Sequence, residues 1–154
     1  MLTMKSKYAL KALGDLAALP PGAVAASIDI AARHAISKKF LDAILAELRT
    51  AGLVATRKGR TGGYHLARPA DLISVGEVLR HLDGPLAPIA CASRSAYMPC
   101  VDCPDERICA VRLTMLEVRE AIAGVLDRKT LRDFMATGGA TGGVPAAQSG
   151  EKAT

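Results

Sequence analysis

All four cysteines of this 154-residue chain lie in one short segment, where their side chains could bind a metal or form a disulfide. The segment CASRSAYMPCVDCPDERIC runs from Cys91 to Cys109 with the spacing C-x8-C-x2-C-x5-C, and Cys100 and Cys103 are its inner members. Thiolates are ligands of iron–sulfur clusters and of zinc, and two adjacent thiols can act as a redox switch. The segment therefore predicts thiolate chemistry and leaves a cluster, zinc and a metal-free switch open.

The start of the chain indicates the compartment, and hence the expected state of these thiols. MLTMKSKYAL carries charges and precedes no long apolar run, which is not typical of a signal peptide. No stretch approaches the ~20 apolar residues of a membrane span. We therefore expect a cytoplasmic protein without a membrane partner, where disulfides are usually transient or catalytic. Two purely structural disulfides are disfavoured.

Three helices are predicted in the first fifty residues. Half of the chain is hydrophobic, but only 3% is aromatic and no residue is tryptophan, which favours helices over strands. Apolar residues recur at helical spacing in 3–19, 27–35 and 38–50. Ser27 and Ser37 are placed to cap the second and third helices. Two helices joined by a tight turn are typical of a helix-turn-helix, although any helical hairpin shares this pattern.

A basic, glycine-rich hairpin is predicted directly after the third helix. LVATRKGRTGGYHLARP indicates strands at Leu53–Thr56 and Tyr64–Ala67, joined by a tip at Arg57–Gly63. Glycines allow a tight turn, and the basic side chains can neutralise phosphates or enter a minor groove. The tip matches neither glycine-rich nucleotide-binding motif. We interpret the hairpin as the wing of a winged helix-turn-helix.

The charge distribution separates the two halves of the chain. Residues 1–70 contain eleven Lys or Arg against four Asp or Glu, whereas residues 71–136 contain eight against ten. A basic first half indicates a polyanionic partner, most often nucleic acid, and a solvated basic surface is the alternative. The cysteines belong to the slightly acidic second half.

The cysteines are predicted to lie between two further helices. Ser74 and Glu77 have the spacing of a capping box for a helix from Val75 to about Leu82. After the cysteines, apolar residues step at intervals of three and four, as in a coiled-coil seam. These residues are Ile108, Val111, Met115, Val118, Ile122 and Val125. We expect the seam to form a homodimer, with packing on its own domain as the alternative.

Together these elements predict a mainly α protein with a small β-hairpin. The expected organisation is a winged helix-turn-helix DNA-binding domain at 1–84, a cysteine-rich sensor loop at 85–109, a long C-terminal dimerisation helix at 110–136 and a tail at 137–154. The tail has almost no large apolar residue, and we expect it to be disordered.

This order of elements resembles the bacterial winged-helix transcription regulator family that includes IscR, NsrR, RirA and CymR. The resemblance runs from about Leu2 to Phe134. It is carried by KYAL at 7–10, by Leu45–Val54, by RKGRTGGYHLARP at 57–69, by ISVGEV at 73–78 and by the spaced cysteines. It implies a homodimeric DNA-binding protein that is not an enzyme, with its recognition helix in the major groove and its wing in the minor groove.

The resemblance also implies which residues contact double-stranded DNA. The acidic residue at the position of Asp42 can accept a hydrogen bond from a cytosine amino group. Lys5 and Lys7 are implied phosphate contacts, although a solvated charge is the alternative for each lysine. The remaining implied contacts lie on the recognition helix and the wing. They are Ser37, Lys38 and Lys39, and Arg57, Lys58, Gly59 and Arg60.

For the cysteines, the resemblance implies an iron–sulfur cluster, 2Fe–2S or 4Fe–4S, held before the dimerisation helix. Cys91, Cys103 and Cys109 match the family's three ligands, and Cys100 is additional. Relatives take a fourth ligand from a histidine three residues after the last cysteine or from an acidic residue before the N-terminal tyrosine. This chain has Arg112 and Lys7 there. Cys100 could complete the site, whereas zinc or metal-free thiols remain alternatives.

The expected function is a transcriptional regulator that senses iron, redox state or nitric oxide through this cluster. A zinc-bound or thiol-redox regulator of the same fold is the nearest alternative, and a small iron–sulfur electron carrier is the alternative from another class. No Ser/His/Asp or paired-carboxylate arrangement indicates an enzyme, and the cysteines lack a histidine at a recognisable spacing.

Overall fold

The computed structural model describes residues 2–138, in which six α-helices and one two-stranded antiparallel hairpin occur. The elements are α1 (Met4–Ala17), α2 (Ser27–Arg33), α3 (Lys38–Thr50), β1 (Val54–Arg57), β2 (Gly63–Leu66), α4 (Val75–Asp83), α5 (Ala110–Leu126) and α6 (Leu131–Thr137). This architecture confirms the predicted mainly α fold with a small hairpin. Of the tail predicted at 137–154, residues 139–154 lie outside the described part of the chain.

The helix-turn-helix forms as predicted, with one difference at the start of α2. Ser37 caps α3, since its side chain accepts a hydrogen bond from the Phe40 N–H at 3.2 Å. The predicted cap at Ser27 is wrong, because α2 is preceded by Ala26 and has no side-chain cap. The reason is non-local: Ala25 pairs with Tyr64 of β2, so the chain stays extended up to Ala26 and Ser27 already lies inside the helix.

One hydrophobic core joins the helix-turn-helix, the hairpin and α4. Its fully buried side chains are Leu13, Ile30, Leu41, Ile44, Leu45, Leu48, Leu53, Ile73, Val78 and Leu131. Phe40 of α3 lies at the edge of this core, where it is 38% exposed and makes an edge contact with Tyr8. Leu131 comes from α6, so the C-terminal end of the described chain belongs to the same core.

The single helix predicted through 110–136 is instead two helices. α5 ends at Leu126, and Thr130 starts α6 with a reciprocal capping box to Asp133. The Leu131 N–H donates to the carbonyl oxygen of Ile73 at 2.9 Å, which holds α6 against the DNA-binding domain. Burial of Leu131 places α6 on α1 rather than in line with α5.

The helix α4 connects the domain to α5 through a close contact. Ser74 accepts a hydrogen bond from the Glu77 N–H at 3.0 Å, but the Glu77 side chain pairs with Arg68, so the predicted capping box is half formed. Arg80 donates to both carboxylate oxygens of Asp127, at 2.5 and 2.9 Å. Gly76 permits this approach, since a Cβ there would lie 2.1 Å from Asp127 Oδ1.

The helix α5 packs loosely on the rest of the protomer. Ala123 is its one buried residue, and several members of the predicted seam are exposed. None of the helices in residues 2–138 combines the length and the apolar character that crossing a membrane requires.

Candidate DNA-binding surface and cysteine cavity

The first turns of α3 present the polar side chains that the sequence assigns to the recognition helix. Ser37 is occupied as the helix cap. Lys38 Nζ donates to Asp42 Oδ2 at 2.7 Å, and this hydrogen bond lowers the pKa of the Asp42 carboxyl. Lys39 is exposed and makes no ion pair within residues 2–138. Asp42 is therefore an ionised hydrogen-bond acceptor beside two lysines.

The two lysines of α1 that are predicted to contact phosphates differ in how they are bound. Lys5 Nζ lies 3.2 Å from both carboxylate oxygens of Glu47, so it joins α1 to α3. Lys7 is exposed, and no side-chain hydrogen bond to it occurs in the described part of the chain. Of the two predicted phosphate contacts, Lys7 is the available one.

The wing depends on glycines that no other residue could replace without a shift. β1 and β2 pair from Val54–Leu66 to Arg57–Gly63. Gly59 lies in the turn with a φ of +110°, a backbone conformation that residues with a side chain rarely adopt. A Cβ at Gly62 would lie 2.1 Å from the carbonyl oxygen of Arg57. Hence Gly59 shapes the tip rather than supplying a functional group.

Among the basic residues of the wing, only some are free for a partner. Arg57 donates to the carbonyl oxygen of Gly22 at 2.8 Å and to that of Thr61 at 3.4 Å, so it clasps the wing to the loop after α1. Lys58 and Arg60 are exposed, and neither forms an ion pair among the described residues. These two side chains, with Lys39, can reach outward to phosphates or base edges.

The four cysteines line one cavity of about 480 Å³ in front of α5. Cys91 is buried in a short 3-10 turn at Ala90–Ala92, whereas Cys100 is exposed and Cys103 and Cys109 are half-buried. All four are reduced thiols in this structure. The structure thus brings together all four cysteines that the sequence spacing indicated as possible ligands.

The cysteine thiols differ in their acidity. The first-turn amides of α5, that of Arg112 foremost, lower the pKa of Cys109, although they approach its sulfur without a regular capping hydrogen bond. Desolvation and the neighbouring Cys109 raise the pKa of Cys103. The Cys100 thiol donates to Asp102 Oδ1 at 2.9 Å, which raises its pKa. Cys109 is therefore the thiol that ionises most readily among these three.

The four cysteines do not form a ready-made site for a single metal ion. No three His, Cys, Asp or Glu side chains within residues 2–138 are grouped closely enough to hold one ion. A structural zinc site needs four ligands at about 2.3 Å from a common centre, so it is not preformed here. The ligands of an iron–sulfur cluster bind different irons and stand farther apart. Four thiols around one cavity supply a suitable donor set.

Arg112 organises this cavity, a role that sequence reasoning missed. Its Nε donates to the carbonyl oxygen of Cys91 at 2.9 Å, and its Nη1 to that of Glu106 at 3.4 Å. Glu106 also accepts a hydrogen bond from the Tyr97 hydroxyl. The sequence marked Arg112 only as a replaced histidine, and its place in the first turn of α5 was the one available signal. Lys7 does not line the cavity.

Comparisons with known proteins agree with this geometry. A family model described as Rrf2, an iron-dependent transcriptional regulator, matches residues 2–137. An rrf2-like HTH-type transcriptional regulator of Rhodobacter capsulatus is 46% identical over 141 residues, which cover 90% of this chain and 94% of that protein.

Two solved structures are also similar to this chain. The structure of CymR, described as the global cysteine regulator of B. subtilis, superposes with a TM-score of 0.75 at 28% identity, covering 89% of this chain and 97% of CymR. That of T. potens IscR has a TM-score of 0.70 at 28% identity and covers 90% of this chain and 88% of IscR.

Proposed function

The chain belongs to the Rrf2 family of transcriptional regulators, and from that membership we propose that it binds its operator as a homodimer whose affinity is controlled at the cysteine cavity. The family assignment confirms the predicted resemblance, the DNA-binding function and the expectation that the chain is not an enzyme. It favours a regulator over the electron-carrier alternative. The observation that carries the proposal is that the cysteine cavity is built on the first turn of the helix that exposes the apolar seam.

The proposed DNA surface comprises the exposed basic residues of α3 and the wing. Lys39, Lys58 and Arg60 supply positive charge that is not consumed by ion pairs among the described residues. Lys7 adds a fourth charge from α1. We assign Asp42 to base recognition, since an ionised carboxylate accepts a hydrogen bond from a cytosine amino group once Lys38 turns toward a phosphate.

The proposed dimer forms along α5. Ile108, Val111 and Val125 are 77%, 60% and 55% exposed in one protomer, although all three are large apolar residues. Such a seam at heptad-like spacing is stabilised when a second copy covers it. Two protomers joined in this way would present two recognition helices to a two-fold symmetric operator.

The proposed sensor is an iron–sulfur cluster held by Cys91, Cys103 and Cys109, with Cys100 as the fourth ligand. When bound, the cluster supplies an iron centre that is lost or oxidised in response to iron supply, oxidants or nitric oxide. The chain's own residues transmit the change: Arg112 joins the Cys91 backbone to α5, and Arg80 joins α4 to Asp127 at the end of α5. Ligand loss would therefore alter how α5 sits on the DNA-binding domain.

A metal-free thiol switch is the second candidate, and the adjacency of Cys103 and Cys109 favours it. The Cys109 thiolate would attack a peroxide oxygen and form a sulfenic acid with release of water or alcohol. The Cys103 thiol would then displace hydroxide as water to form one S–S bond. The two thiols together lose two electrons and two protons, which reduce the peroxide.

One preparation distinguishes these candidates. The protein is purified without oxygen, its visible spectrum is recorded, and its iron, sulfide and zinc are measured. The proposal expects a coloured protein with iron and sulfide in similar amounts. A colourless protein with four reactive thiols would contradict the cluster proposal and support the thiol switch. Stoichiometric zinc would contradict both candidates.

DNA binding is tested separately on the chain's own promoter region. Affinity should fall steeply between two salt concentrations, since phosphate contacts release counterions. If no cluster or redox state shows salt-sensitive duplex binding, the proposed operator-binding function is wrong.

A further inference from the structure

A second cavity, here called the wing cavity, lies behind the hairpin and apart from the cysteines. It has a volume of about 500 Å³ and is formed by the end of α1, the loop at 19–24, both wing strands, residues 68–70 and Arg132 of α6. This volume is within the range of small-molecule sites. From its chemistry we infer that the wing cavity binds a small organic carboxylate with an apolar body.

The wall of the wing cavity is positively charged. Arg57, Arg68 and Arg132 line it, and no aspartate or glutamate does so among the described residues. Arg57 donates to neutral carbonyl oxygens and has no carboxylate partner among the described residues, whereas Arg68 pairs with Glu77 and Arg132 lies 3.8 Å from a carboxylate oxygen of Asp71. Guanidinium groups bind carboxylates with two parallel hydrogen bonds. The charge of Arg57, which no carboxylate of the described residues neutralises, therefore favours an anionic ligand.

The remaining wall is apolar, which narrows the class of anion. Leu16, Val24 and Leu66 contribute side chains to it, together with two consecutive prolines at 20–21. An inorganic anion would leave this surface without a partner, whereas a ring or short alkyl chain would cover it. A carboxylate group on an apolar body satisfies both parts of the wall.

His65 supplies an independent observation that points to a ligand. It lies on β2 and lines the wing cavity, and its Nδ1 is buried without a hydrogen-bond partner among the described residues. Buried polar atoms are nearly always hydrogen-bonded. Because Nδ1 has no accessible surface in this conformation, a carboxylate oxygen can accept its hydrogen bond once the imidazole turns toward the wing cavity.

A ligand at this place would act on the wing directly. Arg57 and His65 stand on the two wing strands, and Arg57 clasps the wing to Gly22. A carboxylate that competes for Arg57 would loosen this clasp and change how the wing meets DNA. This consequence rests on the proposed function, whereas the binding itself does not.

The test uses the full-length protein without DNA and sodium benzoate as the probe. Backbone amide NMR signals are followed at constant ionic strength during titration with benzoate, benzamide or inorganic phosphate. We expect saturable shifts at the non-proline residues of 16–24 and 65–70 and at 57 with benzoate, and none with the neutral benzamide. Arg132→Gln should weaken benzoate binding about fivefold, since it removes the positive charge and the paired donors of the guanidinium.

Arg128→Gln is the matched control, because Arg128 is an exposed arginine near α6 that does not line the wing cavity. If both variants weaken benzoate binding equally, the effect comes from the overall charge of the protein, and the proposed binding site is wrong. Equal binding of phosphate and benzoate would overturn the assigned ligand class. The absence of benzoate shifts, with Arg132→Gln weakening operator binding instead, would assign these arginines to DNA phosphates. Operator affinity with and without benzoate then tests the effect on the wing and leaves the binding result intact.

Discussion

The Nε of Arg112 donates a hydrogen bond to the backbone carbonyl oxygen of Cys91 at 2.9 Å. This contact joins the first cysteine of the cavity to the first turn of α5 across 21 positions of sequence. A second bond to the carbonyl oxygen of Glu106 fixes the other end of the loop. The cysteine segment is therefore held to α5 by one side chain that is itself no metal ligand.

Replacing Arg112 should loosen the cysteine segment without unfolding the domain. Loss of about 1 kcal/mol of hydrogen bonding corresponds to about fivefold more opening of the segment. We expect Arg112→Gln to speed chymotrypsin cleavage at Tyr97 by about that factor in the metal-free protein. Arg107→Gln is the control, since Arg107 is 88% exposed and pairs only with Asp105. Equal cleavage of wild type and Arg112→Gln would show that the tie does not hold the segment.

The free basic residues of the wing should contribute to DNA affinity through phosphates. Lys58→Ala and Arg60→Ala should each weaken operator binding, and each should reduce the slope of log affinity against log salt by about 1. Fluorescence anisotropy at several salt concentrations measures this. Arg128→Ala, which removes an exposed charge outside the proposed surface, should leave the slope unchanged. A slope unaltered by both wing substitutions would contradict the assigned pose.

Glycine 63 should be indispensable for the hairpin. A Cβ there would lie 2.6 Å from the carbonyl oxygen of Ala25, which pairs with Tyr64. We expect Gly63→Ala to lower the free energy of unfolding by about 1–3 kcal/mol, as overpacking usually does. Urea denaturation followed by circular dichroism measures it. Gly124→Ala is the control, because nothing lies within 4 Å of a Cβ there and alanine favours the helix by roughly 0.5–1 kcal/mol. If both variants are equally stable, the backbone relieves the clash without loss of stability and the prediction for Gly63 is wrong.

The same glycine shows what sequence could and could not predict. Ser37 was recognised as a cap because capping is a local property of a few neighbouring residues. Ala25 and Tyr64 are far apart in sequence, so their pairing could not be predicted locally. This pairing keeps the chain extended up to Ala26, which moves Ser27 into the helix, and it places the Ala25 carbonyl against Gly63. Likewise, the spacing of the cysteines indicated a shared site, but the tie through Arg112 depends on how the segment folds back on α5.

The Asp127–Arg80 pair predicts a pH-dependent part of stability. The hydrogen bond from Arg80 lowers the pKa of the Asp127 carboxyl. Its contribution is therefore complete above the unfolded value of about 3.9 and is lost as the pH falls through the lower folded-state pKa. Both side chains are more than a third exposed, at 35% and 43%, so we expect at most ~1 kcal/mol.

Asp127→Asn should lower the free energy of unfolding at pH 7 by roughly 0.5–1 kcal/mol, and this difference should shrink as the pH falls below the unfolded value of about 3.9. Urea titrations at fixed protein concentration measure both values. Glu117→Gln serves as the control, because Glu117 is exposed on α5 and makes no ion pair in the described part of the chain. A difference that persists unchanged at pH 3 would assign the effect to packing against Gly76 rather than to charge.

Single cysteine substitutions should rank the four thiols as cluster ligands. Cys91 is buried at the cavity wall, and Cys103 and Cys109 are half-buried neighbours in the same cavity, so replacing any of them removes a thiol that already faces it. We expect Cys91→Ser, Cys103→Ser and Cys109→Ser to abolish bound iron and the visible absorbance after anaerobic purification. The Cys100 thiol is exposed and donates to Asp102, so it must leave this hydrogen bond to reach a metal.

Cys100→Ser should therefore retain iron and sulfide, because Cys100 is the most weakly held of the four ligands. It should lose them faster in air than wild type, because one ligand of the cluster is missing. The decay of the visible absorbance in air measures this lifetime. Asp102→Ala is the matched control: it removes the acceptor of the Cys100 thiol and should lengthen the lifetime or leave it unchanged. Equal lifetimes of wild type and Cys100→Ser would exclude Cys100 as the fourth ligand. Complete loss of iron in Cys100→Ser would instead place it on a par with the other three cysteines.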